Sequence, residues 1–351
     1  AFILTGTPLE NRLAELHSLV EFLHPRALGP RWRLIPLHVV ADATGRVLAY
    51  EGLDLLRSRL RSFFVRRERR EVLDQLPPRI DNTFWTEMMP AQWRPYRREA
   101  ARVAALLAKN RPLKASEVRI LLQALTGMRI LCNALGQYAW DRTARRLADG
   151  RAATKEDLKA IQSPKLEEFA RVLEDLLEQS GSKIVVFSQW ERMLRLAHFV
   201  VRELLGRRGE RAEIFHGGLD GGSRERMLEA FRSEQDLRVL FSTDAGGLGL
   251  NLQEAASIVV HLEVPWNPAV LEQRIGRVHR LGQSRSVQVL HFVTRGAIEE
   301  RVRGVIEAKR ALFEGLLVEE ADRVDFDPDR QASFLERVRS LIGEEPDGRA
   351  R

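Results

Sequence analysis

The segment Gln273-Arg274-Ile275-Gly276-Arg277-Val278-His279-Arg280-Leu281-Gly282-Gln283 concentrates side chains able to meet phosphate. Read as a helix that starts near Asn267-Pro268, it carries two stripes at about 100° per residue. Leu271, Ile275 and Val278 share an apolar face, while Gln273, Arg277 and Arg280 lie roughly 200° around from it. A planar guanidinium fork matches phosphate oxygens bidentately, so two arginines one turn apart can hold a phosphoryl group. Arginine pairs on helices more often form a solvated face. Here the Gln-x-x-Gly-Arg-x-x-Arg spacing and a glycine loop upstream favour phosphate. That loop is Thr243-Asp244-Ala245-Gly246-Gly247-Leu248-Gly249-Leu250-Asn251. Its glycines permit φ > 0 and close backbone approach, which serves either a phosphate held by N–H groups or a tight turn alone.

The elements that must position these residues alternate. Apolar runs at Ile184 to Phe187, Glu213 to Phe215, Val239 to Ser242, Ser257 to Leu262 and Val287 to Val293 read as strands. Helical spacing separates them at Glu191 to Leu205 and Ser223 to Phe231, and a long helix is expected from Ala297 to about Leu317. Continuous apolar strands alternating with helices predict a parallel sheet covered on both faces. Ligands in such sheets bind beyond the strand C-termini. Ser188-Gln189, His216-Gly217 and Thr243-Asp244 all fall there. His216 and His279 have no metal-ligand partners at useful spacing and read as structural.

Upstream, Phe2-Ile3-Leu4 runs into the turn Thr5-Gly6-Thr7-Pro8, and a helix with Leu13, Leu16, Val20 and Leu23 on one face stops at His24-Pro25. Residues 26 to 50 read as irregular, and a helix is expected from Leu53 to Phe64. A charge run, Arg66 to Glu71, follows and closes at Leu76-Pro77-Pro78. Ile80 to Met88 alternates like a strand, and Pro90 opens a helix toward Lys109. Two or three helices then fill residues 115 to 180, a block that reads as a spacer or insertion between two sheets.

The 351 residues, 44% hydrophobic and 30% charged, suffice for two domains and a sizeable core. No apolar run approaches the roughly 20 residues of a membrane span, which argues against a membrane role. The single cysteine, Cys132, excludes an internal disulfide or a multi-cysteine zinc site and suits a reducing, cytoplasmic setting. Lys+Arg 56 against Asp+Glu 49 gives +7, a balance that favours a polyanionic partner. Ala1-Phe2-Ile3-Leu4 looks like the end of a strand whose domain lies upstream, so the chain is expected to be a fragment.

In order along the chain, these blocks resemble the superfamily-two helicases, and within them the SWI/SNF-like DNA-dependent ATPases of bacterial or archaeal type. Leu4 to Asn11 resembles the third helicase motif. Ser163-Pro164-Lys165-Leu166 with Lys183 to Gln189 is similar to the fourth-motif region, and Ser242 to Leu252 to the fifth. Trp266-Asn267-Pro268 and Gln273 to Gln283 resemble the extension of the fifth motif and the sixth. The run ending Leu76-Pro77-Pro78-Arg79 is similar to the basic lobe-linking segment, and residues 292 to 312 to the closing brace. The resemblance implies an α/β fold, a RecA-like parallel sheet with helices on both faces, preceded by a helical inter-lobe block and the tail end of a first RecA-like lobe. The implied boundaries are 1–25 for that tail, 26–160 for linker and insertion, 161–295 for the second lobe and 296–351 for brace and tail.

The resemblance further implies an ATP-driven translocase on double-stranded DNA. Arg277 and Arg280 would be arginine fingers toward the γ-phosphate, with Gln273, Gly247, Gly249 and Gly276 beside the nucleotide. Gln273 equally serves structural hydrogen bonding. Thr7, Ser188, Gln189, Thr243 and Asn251 would contact the DNA backbone, short polar groups being suited to sequence-independent phosphate contacts. Trp266 either joins them or packs. No Gly-x-x-x-x-Gly-Lys-Ser/Thr loop and no Asp-Glu metal motif occurs in the 351 residues, so ATP and Mg2+ are expected to be held mainly by an upstream lobe. This portion alone is expected to be inactive. Gly276 stands where eukaryotic remodellers usually carry an acidic residue, which sets nucleosome remodelling in doubt and leaves translocation intact. The alternatives are a non-catalytic module that binds nucleic acid or RNA polymerase, and an RNA-directed helicase. The expected location is cytoplasmic, on the nucleoid if the source is prokaryotic.

Overall fold

The computed structural model of the protein describes residues 3, 13–41, 47–61, 76–109, 113–147, 156, 161, 163–179, 181–244, 250–302 and 324–325. Thr7, Gly247 and Gly249 lie outside these residues, as do the third-motif segment 4–11, the charge run 66–71 and the expected brace helix beyond 302. The chain divides into two compact units.

Among the described residues the first unit holds three helices, α1 (Leu13–Leu23), α2 (Arg31–His38) and α3 (Leu53–Leu60). It also holds a small antiparallel sheet of β1 (Val39–Ala41), β2 (Val47–Tyr50) and β9 (Val324–Asp325). Leu16, Val20, Leu34, Leu53, Leu56 and Leu60 are buried, at the helical spacing that sequence shows for α1 and α3. The stretch expected to be irregular, 26–50, instead contains α2, β1 and β2. Pro30 and Pro36 misdirect the reading: Pro30 is the N-cap of α2, and Pro36 sits inside the helix, where a proline is ordinarily disfavoured.

The second unit is built on a six-stranded, all-parallel sheet in the order β3-β8-β7-β4-β6-β5. Its strands are β3 (Arg79–Thr86), β4 (Lys183–Phe187), β5 (Arg211–Phe215), β6 (Leu237–Ser242), β7 (Ala256–His261) and β8 (Val287–Thr294). Alternate residues of β4 serve two cores. Ile184 and Val186 pack with Phe169, Leu173, Leu194 and Val201, whereas Val185 and Phe187 pack with Phe231, Ile275 and Val278. A strand with apolar residues at every position has to be covered on both sides, and each such side chain contributes about 1.5–3 kcal/mol on full burial. A charge placed at Val185 would break one of these cores.

Helices α8 (Pro164–Gln179) and α9 (Glu191–Arg207) cover one face, and α10 (Gly221–Ser233) the other. The helical block comprises α4 (Pro90–Leu107), α5 (Ala115–Asn133), α6 (Leu135–Tyr138) and α7 (Trp140–Leu147). It follows β3, which pairs with β8 along its whole length, so the block interrupts a single sheet instead of separating two.

The fourth-motif residues are part of this packing. Ser163 Oγ accepts from Leu166 N at 3.1 Å, capping α8, and donates to Asn133 O at 2.5 Å. Lys165, 1% exposed, donates from Nζ to Glu299 Oε2 at 2.7 Å and Asn133 Oδ1 at 3.1 Å. Glu299 Oε2 also accepts from Thr294 N at 3.0 Å, which fixes the end of β8 to the helical turn at 298–302. Among the described residues no helix is long and apolar enough to cross a membrane.

Candidate functional site

Beyond their last ladder bonds the central strands stay tied together. Ser188 N donates to Ser242 O at 3.2 Å, Thr243 N to Phe215 O at 3.1 Å and Leu262 N to Phe187 O at 3.1 Å. These bonds fix the exits of β4, β5, β6 and β7 as one rim. Ser188 is fully buried, and its Oγ accepts from Trp190 N at 3.1 Å at the start of α9. The structure therefore gives Ser188 a buried turn bond to the main chain two residues on, in place of the surface phosphate contact that its residue type suggests. Thr243 is 7% exposed and likewise belongs to the interior of the rim.

Beneath the rim lies Arg274, near the C-terminus of α11 (Pro268–Ile275) and 2% exposed. Its fork grips Asp244, Nε to Oδ1 at 2.5 Å and Nη2 to Oδ2 at 2.8 Å, and Nη2 reaches Glu263 Oε1 at 3.4 Å. Glu263, fully buried, also accepts from Gln189 N at 2.6 Å. One guanidinium thus joins the exits of β6, β7 and β4. Burial opposes its charge, but the bond to Asp244 and the charges of Glu263 and Asp244 hold its pKa above the ordinary arginine value. Neither Arg274 nor Glu263 is singled out by sequence reading. The signal was present: Arg274 lies three residues after Leu271 and four before Val278, so it is a charge on the apolar stripe.

Arg277 and Arg280 have the opposite setting. The helix expected to carry both ends at Ile275, and the chain continues in tight turns. Arg277 N donates to Arg274 O at 3.1 Å and Val278 N to Ile275 O at 3.0 Å, bonds that reach three residues back. Gly276 weakens the helix at this point, and long-range anchors hold the turns. Leu252 N donates to Arg277 O at 2.9 Å, Gln283 Nε2 to Ala256 O at 2.8 Å, and His279 Nε2 lies 2.9 Å from Pro77 O. Arg277 is half-buried, and burial and then the neighbouring charge of Arg280 lower its pKa. Among the described residues no carboxylate pairs with either guanidinium. Arg280 is exposed and donates to Asn251 Oδ1, while Arg232 Nη2 donates to Asn251 O at 3.2 Å. The fold therefore brings Arg277, Arg280 and Asn251 together. Gln273, exposed, and Gly276, whose N donates to Glu272 O at 2.8 Å, flank them.

Gln189 and Trp266 form a second group around Arg129 of α5, a residue that sequence reading passed over. Its guanidinium carbon lies 4.8 Å from the Trp190 ring centroid and 5.6 Å from that of Trp266. Nη2 donates to Gln189 Oε1 at 3.0 Å and to Val264 O at 3.1 Å. Chemically, the first group is a pair of cations prepared for a polyanion. The second presents an amide and an indole at a rigid edge. Among the described residues no three His, Cys, Asp or Glu side chains are grouped to hold a metal ion.

Residues 1–137 match the SNF2-related domain, and residues 165–282 match the helicase conserved C-terminal domain. An uncharacterized ATP-dependent helicase of Mycoplasma pneumoniae is 30% identical over 91% of this chain, which spans 28% of that protein. Human TATA-binding protein-associated factor 172 is 28% identical over 99% of this chain, which spans 20% of it. Human SWI/SNF-related matrix-associated actin-dependent regulator of chromatin subfamily A member 1 is 29% identical over 92% of the chain, which spans 29% of it. The chain therefore spans less than a third of each. In structure it resembles the Sulfolobus solfataricus SWI2/SNF2 ATPase core in complex with dsDNA, with TM-score 0.56 and 22% identity over 97% of this chain and 66% of that one. The C-terminal domain of the Sulfolobus ATPase matches with TM-score 0.52 and 19% identity over 76% of this chain and 98% of that one. Two family segments, SNF2-related and helicase C-terminal, thus lie in order on one polypeptide, and over nine-tenths of its length the chain is similar in sequence to SWI/SNF-type and other ATP-dependent helicase proteins.

Proposed function

We propose that the chain forms part of an ATP-driven motor that tracks double-stranded DNA, working in the cytoplasm or on the nucleoid of a prokaryotic cell. The observation that carries this reading is the half-buried Arg277 beside Arg280, two cations with no described carboxylate between them. Such a pair fits the anionic end of ATP. Arg277 and Arg280 would hold phosphoryl oxygens and stabilise charge as it develops, with Gln273 and Gly276 beside them. ATP supplies the phosphoryl group whose loss drives the cycle. Its Mg2+ would be held with the triphosphate by residues of another lobe, since the described residues here offer cations and amides, not a carboxylate cluster. The duplex partner is supported by the similarity to an ATPase core whose structure contains dsDNA.

The test is DNA-stimulated ATP hydrolysis by the full-length protein that carries this chain. Arginine fingers contribute about 10³ to 10⁵ in rate, so Arg280→Ala should reduce turnover by at least about 10³. Unchanged turnover in that variant would remove the finger assignment. Stimulation by RNA but not by duplex DNA would redirect the reading to an RNA-directed helicase. Duplex binding without hydrolysis in the wild type would favour a non-catalytic binding module.

A further inference from the structure

Arg129 sits 5% exposed in α5, where Met128, Leu131 and Cys132 beside it are apolar and buried. A leucine or methionine would fill such a place without the cost of desolvating a charge. No carboxylate lies within ion-pair distance of Arg129 among the described residues. What holds the guanidinium is a pair of indole faces, Trp190 and Trp266, and two oxygens, Gln189 Oε1 and Val264 O. Cation–π contacts and charge-assisted hydrogen bonds offset the desolvation only if all these groups are held where they stand.

Gln189 is the consequence. Its main-chain N–H is committed to Glu263 Oε1, and its side-chain oxygen to Arg129. Arginine donates and never accepts, so the amide must turn its oxygen toward Arg129. The NH₂ group is then left outward on an exposed residue, a donor aimed at solvent. A donor of this kind, beside the half-exposed ring of Trp266, suits a phosphodiester oxygen of a passing duplex.

We propose that Arg129 is a positioning residue for duplex binding: from the helical block it fixes the Gln189 amide with its NH₂ group toward the DNA backbone and seats the Trp266 ring beside it. This inference rests on the duplex-motor reading above and assigns part of the DNA-binding edge to α5.

The test measures affinity of the full chain for a labelled duplex oligonucleotide by fluorescence anisotropy, with urea midpoints confirming that each variant folds. Gln189→Ala and Trp266→Ala should each weaken binding about five- to tenfold, the scale expected for removing one or two hydrogen bonds or one ring face. Arg129→Lys keeps a charge but cannot both stack and bond two oxygens from one planar group. It should weaken binding by a similar factor, and the double variant with Gln189→Ala should lose no more than the single ones. Gln189→Glu carries the test if Arg129→Lys folds poorly. It retains or improves the contact with Arg129, leaves the urea midpoint at or above wild type, and still weakens duplex binding because an anion replaces the NH₂ group.

In the full-length protein, Arg129→Lys should raise the duplex concentration needed for half-maximal hydrolysis and leave the saturated rate unchanged. Weakened binding in Gln189→Ala with wild-type binding in both Arg129→Lys and Gln189→Glu would overturn the inference and leave the duplex reading intact. Wild-type binding in Gln189→Ala and Trp266→Ala would overturn both.

Discussion

Arg274 and Arg280 lie six residues apart in one motif, and they occupy opposite regimes. Arg274 is 2% exposed, gripped by Asp244 and Glu263, and joins three strand exits. Arg280 is exposed and rests on a neutral partner, Asn251. A guanidinium already neutralised by carboxylates cannot serve an incoming anion; its energy is spent on the fold. One parked on an amide can leave it at little cost. The difference separates an arginine that builds the rim from one left available to an anion.

The largest effect that would break the comparison is on catalysis. Arg277→Ala and Arg280→Ala should cut DNA-stimulated turnover of the full-length protein by about 10³ or more, roughly 4 kcal/mol of transition-state stabilisation. For Arg280 the urea-derived stability should change by less than about 0.5 kcal/mol, as for other exposed side chains. If Arg280→Ala unfolded the chain, it would belong with Arg274.

Next comes stability. Arg274→Ala strands the fully buried Glu263 with only the Gln189 N–H, and should cost about 3–5 kcal/mol in urea denaturation. A loss below about 1 kcal/mol would show that the buried network is not what holds the rim.

A smaller effect is set by pH. His261 is fully buried and stacks on His291 at 5.0 Å between centroids. Burial first, and then the charges of His291, Arg274 and Arg79, lower its pKa well below 6.5. An unfolded histidine takes up a proton near 6.5. Between these values the unfolded state binds the extra proton, so the wild type loses stability as pH falls from about 7.5 to 5.5. His261→Asn should lose less over that interval, measured as urea midpoints at both values. Arg280→Ala should follow the wild-type slope, because it leaves His261 and the groups around it in place.

The smallest expected change is Asn251→Ala. Releasing Arg280 from its resting contact should alter stability by no more than about 0.5 kcal/mol and turnover only a few-fold. A loss of turnover as deep as that of Arg280→Ala would make Asn251 part of the working site instead.

The sheet was legible because its central strands carry near-continuous apolar runs, the pattern of a doubly covered parallel sheet; Ile184 to Phe187 and Val287 to Val293 appear where periodicity predicts them. That Arg277, Arg280 and Asn251 lie outside the buried core was legible, because polar residues beside glycine turns are seldom placed in a core. Arg274, Glu263 and Arg129 were not recognised, since a single charge within an apolar run is ambiguous until its partners are known. Ser188 misled for the converse reason: a short polar side chain at a strand exit serves a phosphate or a buried turn equally well.

The sequence by itself determined the alternation of strands and helices from Lys183 to Thr294, the cationic character of the 273–283 segment and the resemblance to a family. Local spacing and composition suffice for these, because they are properties of neighbours along the chain. Only the tertiary structure decided which arginine is buried, that β3 joins the sheet beside β8, and that α5 reaches Gln189 and Trp266 through Arg129. Each depends on groups far apart in sequence, and their energies arise only when folding removes water from between them.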